Sequence, residues 1–206
     1  FACMQCVYGP LSDNYGRKIN ILISLCIGVV GNLMCVMTGS VMGLLVGRVL
    51  QGAGTAASVT LSRSVMRDLY SHSEHAKYAS LIGLLSVGIL TSAPLLGAYI
   101  EKISSWRGSF TLLLVYSAVL CILTYYFLPE TNKNREDVSS GESFFLKTFK
   151  SYIKLLSSKR VVYFSCCSGA AYSGVVLFLA VTPFLVTHNG AYDALYYGKL
   201  LLFLAI

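Results

Sequence analysis

Five long apolar segments constrain the fold of this chain more than any other feature of its sequence. Each is about 20 residues long, the length that an α-helix needs to cross the hydrocarbon core of a bilayer. Helices buried in soluble proteins are usually shorter, and five such segments in 206 residues leave little sequence for a water-facing domain. The pattern predicts an all-α integral membrane protein with the spans Ile19–Gly39, Val41–Leu61, Tyr78–Ile100, Phe110–Leu128 and Val161–Val186.

The low content of charged residues supports this prediction. Only 12% of the residues are charged and 55% are hydrophobic, whereas soluble domains carry about 25% charged residues. Both ends are apolar as well: about eight apolar residues precede Gly9, and Leu195–Ile206 stops partway through a span. We interpret the chain as an internal piece of a longer membrane protein, with the end of one span, five complete spans and the start of another.

The basic residues lie almost entirely on alternate connections between the spans. Twelve are on one face of the membrane, whereas the opposite face has only Lys102 and Arg107. Because loops rich in Lys and Arg stay in the cytoplasm, we expect residues 9–18 and 129–160 to be cytoplasmic. This topology accounts for the net charge of +7 without any nucleic-acid partner. The twelve are Arg17, Lys18, Arg63, Arg67, Lys77, Lys133, Arg135, Lys147, Lys150, Lys154, Lys159 and Arg160.

The polar segment 129–160 divides the chain and contains an amphipathic stretch. One helical face would carry six apolar residues, and the other would carry three lysines. Such a helix lies in the membrane interface with its lysines near anionic headgroups, as a connector or as a regulatory element. The apolar face is Phe145, Leu146, Phe149, Tyr152, Ile153 and Leu156, and the basic face is Lys147, Lys150 and Lys154.

A polar stripe runs along the span that begins at Val41. Its members are three or four residues apart, so they share one helical face. Arg48 is about seven residues into the span, roughly 10 Å deep at the rise of an α-helix, where a charge costs about 2.5–3.5 kcal/mol. Two arrangements would reduce this cost. In one, the arginine reaches the membrane interface or bonds to backbone carbonyls in a dry bundle. In the other, it faces a water-filled cavity, and the polar residues that share its helical face favour this second arrangement. The stripe consists of Arg48, Gln51, Thr55, Ser58 and Ser62.

Small residues recur every four positions in three of the spans, a spacing that lets helices approach closely. Pro94 removes one backbone hydrogen bond inside its span, which predicts a helix bend at Pro94 and Gly97. All seven cysteines lie in apolar stretches, where we expect them to pack as small hydrophobic residues and not to form a disulfide framework. The small-residue repeats are Gly39, Gly43 and Gly47, then Ala93 and Gly97, then Ala170 and Gly174.

Three stretches of the sequence resemble signatures of one transporter family. GPLSDNYGRK resembles the loop between the second and third helices of the major facilitator superfamily, Gly-x-Leu-(Ala/Ser)-Asp-x-x-Gly-Arg-(Lys/Arg). GRVLQGAGTAA resembles its fourth-helix signature. SAPLLGAYI resembles the fifth-helix signature of the drug/proton antiporters, with Ala93 and Ala98 at positions where glycine is common. RSVMRDLY, WRGSF and LPET are similar to the Bcr/CflA-type drug-resistance transporters. The loop matches are Gly9, Leu11, Ser12, Asp13, Gly16, Arg17 and Lys18, and the fourth-helix matches are Gly47, Arg48, Gln51, Gly52 and Gly54.

The resemblance implies a helical bundle of two six-helix halves with substrate bound midway between them. Residues 1–128 would then be spans two to six of the first half, 129–160 the central cytoplasmic loop, and 161–206 spans seven and eight. It implies proton-coupled efflux of drugs or other small amphipathic compounds by alternating access, from the inner (plasma) membrane. We expect a monomer that handles a small molecule and protons in the lipid bilayer, with the proton gradient as energy source and no cofactor.

The resemblance also assigns residues. A tight turn at Gly9 and Gly16 would join two helices, with Asp13 accepting hydrogen bonds from the first amides of the next helix. Arg17 would reach Asp68, and these residues with Lys18 would form a charge cluster that holds one conformation of alternating access. Arg48 is implied to take part in proton coupling. Spans three to seven contain no carboxylate in mid-span, so a carboxylate proton carrier would lie elsewhere in the protein.

Three other functions stay open. A permease for metabolites would use the same fold, and a non-transporting scaffold or receptor could be built on it. A membrane-embedded enzyme is the third, with a metal held by His72 and His75 of HSEH. This pair provides two of the roughly three protein ligands that a catalytic metal needs, so we predict neither an enzyme nor a metal site.

Overall fold

The structure is a computed structural model that describes residues 1–132, residue 150 and residues 152–188. The described residues are helical apart from short connections, and no strand occurs among them. The all-α prediction is confirmed. The helices are α1 (Ala2–Tyr15), α2 (Arg17–Met37), α3 (Val41–Leu69), α4 (His72–Ser104), α5 (Trp106–Phe127) and α6 (Lys159–His188).

Five of these helices, α2 to α6, are long and apolar enough to cross a membrane. They coincide with the five predicted segments, but α3 and α4 have 29 and 33 residues and extend well beyond the apolar blocks. The polar end of α3 remains helical because Val65 is still buried in the core. The polar start of α4 is helical because Glu74 accepts a hydrogen bond from Ser71 and so caps the helix. Hydropathy predicts the part of a helix that lies in lipid, not its full length.

The first of two compact units comprises Phe1–Ile89 and Tyr99–Asp137. Within it α2 packs along α3 and against α5, and α1 packs on α3 and α2. Its core centres on Tyr8, Ala56, Ala57 and Leu61, with Met4, Leu11 and Ile21 packed around them. The small alanines let α1 lie close to α3, which brings the end of α1 beside the end of α3.

Glycines make the contact between α2 and α3 unusually close. A methyl group at Gly31 would lie 2.5 Å from the backbone nitrogen of Gln51 and 2.9 Å from the carbonyl oxygen of Gly47, and one at Gly54 would overlap the backbone of Gly28. Of the repeats predicted for close packing, Gly47 alone belongs to this seam. At Gly39, Gly97 and Gly174 an added methyl group would meet no atom within 4 Å. A repeat of small residues describes the spacing along one helix and does not show that another helix packs against it.

The second unit comprises Leu90–Ala98 and Val138–Ile206. The helix α4 continues through Pro94 and Gly97 without a break, so the proline does not end it, and the bend stays a prediction. Residues 152–156 are helical, as expected for the end of the amphipathic stretch, with Ile153 and Leu156 exposed. The rest of that stretch, through Phe149, and the apolar segment Leu195–Ile206 lie outside the described residues. The division at residues 128 and 160 into transporter halves also stays a prediction.

Candidate functional site

The junction of α1 and α2 is a turn of a single residue, Gly16. Its φ of 99° and ψ of 156° lie in a region that only glycine adopts without strain. The prediction that Gly9 also forms the turn is wrong. Gly9 lies inside α1, where its carbonyl oxygen accepts a hydrogen bond from Ser12 Oγ at 2.7 Å. The helix runs on through Pro10 to Tyr15 because Tyr8 and Ser12 on the same face remain buried.

The side chain of Arg17 is the centre of the site. It is 7% exposed, and its Nε lies 3.0 Å from Asp68 Oδ2 at the end of α3. Its Nη1 lies 2.9 Å from Asp13 Oδ1 and donates to Ser12 Oγ at 2.7 Å. The predicted contact between Arg17 and Asp68 is confirmed. A buried guanidinium is tolerated only when it is paired and hydrogen-bonded, and here one cation joins the ends of α1, α2 and α3.

The first amide of α2 is capped by a residue that the sequence did not suggest. The backbone N–H of Arg17 donates to Glu130 Oε1 at 2.9 Å, across 113 residues of sequence. The prediction that Asp13 caps this helix is wrong. Asp13 is still within α1, so its carboxylate reaches the guanidinium of Arg17 and not the amides that follow Gly16. Because Glu130 brings a negative charge to a helix N-terminus, it also suits the helix dipole.

Asn132 fastens the same segment to the end of α1. Its Nδ2 donates to the carbonyl oxygens of Asp13 and Ser12 at 2.8 and 3.3 Å, and its backbone N–H donates to Glu130 Oε1 at 3.0 Å. On the other side of the turn, Asn20 Nδ2 donates to the carbonyl oxygen of Gly16 at 2.7 Å. Helix ends leave carbonyls and amides without intrahelical partners. Here the side chains of Glu130 and Asn132 provide hydrogen bonds to these backbone groups, so residues 130–132 are held against the α1–α2 turn.

The prediction that Lys18 belongs to the carboxylate cluster is wrong. Its Nζ donates to the carbonyl oxygen of Tyr125 at 2.9 Å and lies 5.6 Å from the centre of the Tyr125 ring. Tyr125 is in the last turn of α5, where a cation satisfies an end carbonyl and complements the helix dipole. Arg17 and Lys18 are neighbours in sequence, but their side chains leave α2 in different directions and bind different helices.

The polar stripe of α3 is a second candidate site, and its residues divide into two groups. Arg48, Thr55 and Ser62 are exposed, whereas Gln51 and Ser58 are half-buried. The hydroxyls of Thr55 and Ser62 bond to carbonyls of their own helix, at Gln51 and Val59. The stripe therefore presents one cation and two self-satisfied hydroxyls at the surface of the described helices.

A chain of side-chain hydrogen bonds connects Arg48 to two neighbouring helices. Arg48 Nη1 donates to Gln51 Oε1 at 3.1 Å, and Gln51 Nε2 donates to Asn32 Oδ1 of α2 at 2.7 Å. Asn32 Nδ2 donates in turn to Ser117 Oγ of α5 at 3.2 Å. The guanidinium carbon of Arg48 lies 4.6 Å from the centre of the Phe110 ring, a cation–π contact. Within the described ranges Arg48 has no carboxylate partner.

The sequence HSEH forms the first turn of α4. Glu74 Oε2 accepts hydrogen bonds from the Ser71 hydroxyl and backbone N–H at 2.6 and 3.2 Å, a helix-capping arrangement. No group of three or more His, Cys, Asp or Glu residues that could hold a metal ion occurs in the part of the chain that the structure describes.

These helices and the buried arginine at the start of α2 define a multi-span α-helical membrane protein with an ion-paired turn between α1 and its first described span, α2. The chain belongs to the Major Facilitator Superfamily, whose family model matches residues 1–206.

Named relatives are consistent with the drug-resistance branch of the superfamily. The chain is 28% identical over 188 residues to a bicyclomycin resistance protein homolog of Haemophilus influenzae, covering 91% of this chain and 46% of that protein. It is 30% identical over 186 residues to multidrug resistance protein D of Escherichia coli, covering 85% and 46%. An uncharacterized MFS-type transporter, YdgK of Bacillus subtilis, is 27% identical over 183 residues, covering 88% and 45%. The chain spans about half the length of these curated relatives.

Proposed function

We propose that this chain is part of a transporter that exports drugs or other small amphipathic compounds in exchange for protons, by alternating access. The single observation that supports this best is the similarity over most of the chain to proteins named for bicyclomycin and multidrug resistance. The transporter is a multi-pass protein of the inner membrane, acts as a monomer, and uses the proton gradient as its energy source without a cofactor. It binds no nucleic acid and catalyses no covalent reaction.

The Arg17 cluster is the conformational lock in this proposal. Arg17 joins α1 and α3 through Asp13 and Asp68, on the face that is rich in basic residues and therefore cytoplasmic. The 58% exposure of the Asp13 side chain and the 23% exposure of Asp68 leave both carboxylates within reach of water. An ion pair that water can reach is able to break and re-form during transport. The energetic cost of leaving Arg17 unpaired favours the conformation in which the pair is intact.

Arg48 acts in the coupling of proton and substrate movement. Its guanidinium is a fixed positive charge in an apolar span, held by Gln51 and the ring of Phe110. Such a charge stabilises the ionised form of a carboxylate that approaches it and so favours release of a proton. The described spans provide no such carboxylate to Arg48, so in this proposal the carboxylate belongs to another part of the complete protein.

The test uses the complete parent protein in everted membrane vesicles with an imposed pH gradient. Adding ethidium, a lipophilic toxic cation, should release protons from vesicles that contain the protein. Arg48→Ala should abolish that release, and Arg48→Lys should retain part of it because the charge remains. A gradient that ethidium and a panel of uncharged drugs leave undisturbed, in vesicles shown to contain folded protein, would contradict drug export and favour a metabolite permease.

A further inference from the structure

Two cysteines from different helices lie next to each other, away from both sites described above. Cys26 Sγ of α2 and Cys121 Sγ of α5 are 3.7 Å apart, although the residues are 95 positions apart in sequence. Cys26 is exposed and Cys121 is half-buried at the surface of the described helices. The two helices pack against each other within one compact unit, so the pair is held together by the fold.

The separation suits one atom bonded to both sulfurs. An atom with bonds of about 2.3 Å to two sulfurs holds them roughly 3.3–3.8 Å apart when its bond angle lies between about 90° and 110°. The observed 3.7 Å lies in this range. A disulfide has an S–S length of about 2.05 Å, so its formation would need the sulfurs to approach by about 1.7 Å more. Bridging by a single atom therefore requires a smaller movement of the two helices than formation of a disulfide does.

The surroundings restrict the chemistry of that atom. Both cysteines lie in candidate membrane spans, Arg17–Met37 and Trp106–Phe127, where ionised groups are costly. A divalent metal ion needs about three protein ligands, and no cluster of three ligating residues occurs among the described residues. The pair therefore favours a species that needs two protein sulfurs and leaves a neutral product.

We propose that Cys26 and Cys121 form a dithiol site for monosubstituted trivalent arsenic compounds. In the reaction R–As=O + 2 Cys–SH → R–As(S–Cys)₂ + H₂O, two As–S bonds form while the As=O bond and both S–H bonds break. The oxygen leaves as water with the two thiol protons, and no electron is transferred. The neutral product joins α2 to α5, and arsenic keeps its own substituent as the third bond.

The experiment uses phenylarsine oxide on the complete parent protein, followed by peptide mass spectrometry. One arsenical should join the peptides that contain Cys26 and Cys121, and a small competing dithiol should remove it. Cys26→Ser and Cys121→Ser should each reduce this adduct at least tenfold, whereas Cys167→Ser, a matched exposed cysteine on α6, should leave it unchanged. Bridging should also protect both cysteines of the wild-type protein from a maleimide, which needs no variant.

Two results would overturn the proposal. The arsenical could join Cys3 and Cys6, which are three apart on α1 and therefore share a helix face, or Cys166 and Cys167. Alternatively, Cys26 and Cys121 of folded wild-type protein could stay fully reactive toward maleimide after phenylarsine oxide treatment. Neither readout depends on transport, so this site and the proposed transport function are tested separately.

Discussion

Arg17 Nε lies 3.0 Å from Asp68 Oδ2, and this contact joins the first turn of α2 to the last turn of α3. The two residues are 51 positions apart, and nearly the whole of two apolar helices, α2 and α3, separates them in sequence. The arginine is almost completely buried, whereas the aspartate is partly exposed. Loss of either partner therefore has unequal consequences, because only the buried charge depends on its partner to offset its desolvation.

Neutralising Asp68 should weaken the junction more than neutralising Asp13. Asp68→Asn removes the charge nearest to Nε, and we expect a loss of roughly 1.5–3 kcal/mol of stability, the range for hydrogen bonds to charged groups. Asp13→Asn should cost less because the side chain is 58% exposed and water replaces it. Thermal unfolding of the two variants in detergent measures the difference. Equal midpoints for both variants and the wild type would contradict the assigned role of Asp68.

Glu130 should stabilise the start of α2 through hydrogen bonding more than through charge. Glu130→Ala removes the acceptor for the Arg17 and Asn132 amides and should cost about 1 kcal/mol, the usual value of an N-cap. Glu130→Gln keeps an acceptor oxygen and should recover most of that loss. Hydrogen exchange at the amide of Arg17 is the direct measurement. Unchanged protection in Glu130→Ala would show that this cap does not form in the membrane.

The two glycines of the motif should respond in opposite ways to alanine. Gly16→Ala forces a side chain into a backbone conformation that is essentially restricted to glycine, and should destabilise the protein by about 1–3 kcal/mol. Gly9→Ala lies in a helix where the added methyl group meets no atom within 4 Å, so it should be neutral or should stabilise α1 by up to about 1 kcal/mol. The measurement is the melting temperature of each variant relative to the wild type. Similar decreases for both variants would indicate that Gly9 also forms a turn.

The glycine seam between α2 and α3 should not tolerate a methyl group. Gly54→Ala places its Cβ against the backbone of Gly28, which cannot rotate away, so the two helices must separate. We expect at least 2 kcal/mol of destabilisation, at the upper part of the range of about 1–3 kcal/mol for overpacking. Gly97→Ala is the matched control because the space around it is open. Yield and monodispersity after detergent extraction report the effect, and a well-folded Gly54→Ala protein would refute the close approach.

Asn32 should position Arg48 through Gln51. Asn32→Ala leaves Gln51 Nε2 without its partner across the helix interface and should alter the pH profile of transport while leaving the fold intact. Asn32→Ser keeps a hydroxyl acceptor, adds no ionisable group, and should restore the profile in part. The measurement is proton release on ethidium addition across a series of pH values, in vesicles with matched protein amounts. A uniform loss at every pH would indicate a structural defect and not a change in coupling.

Much of the helical architecture was predictable because hydropathy is a local property. Whether a segment of about 20 apolar residues enters lipid depends on its own transfer free energy, so the five spans appear in the sequence and again in α2 to α6. The contact of Arg17 with Asp68 was predictable as well, since a charge cluster needs a carboxylate and Asp68 ends α3. Membership of the Major Facilitator Superfamily followed from short motifs whose order along the chain matches the family.

The sequence by itself thus determined the class of the protein, the positions of its spans and the motif that carries the buried arginine. Only the tertiary structure decided which polar groups meet: Glu130 and not Asp13 caps α2, Lys18 binds the end of α5, and Asn32 holds Gln51. The physical reason is one of range. Insertion of a span depends on the composition of one segment, whereas a hydrogen bond forms only when two helices place donor and acceptor within about 3 Å. No pattern within a single helix encodes the position of its neighbour.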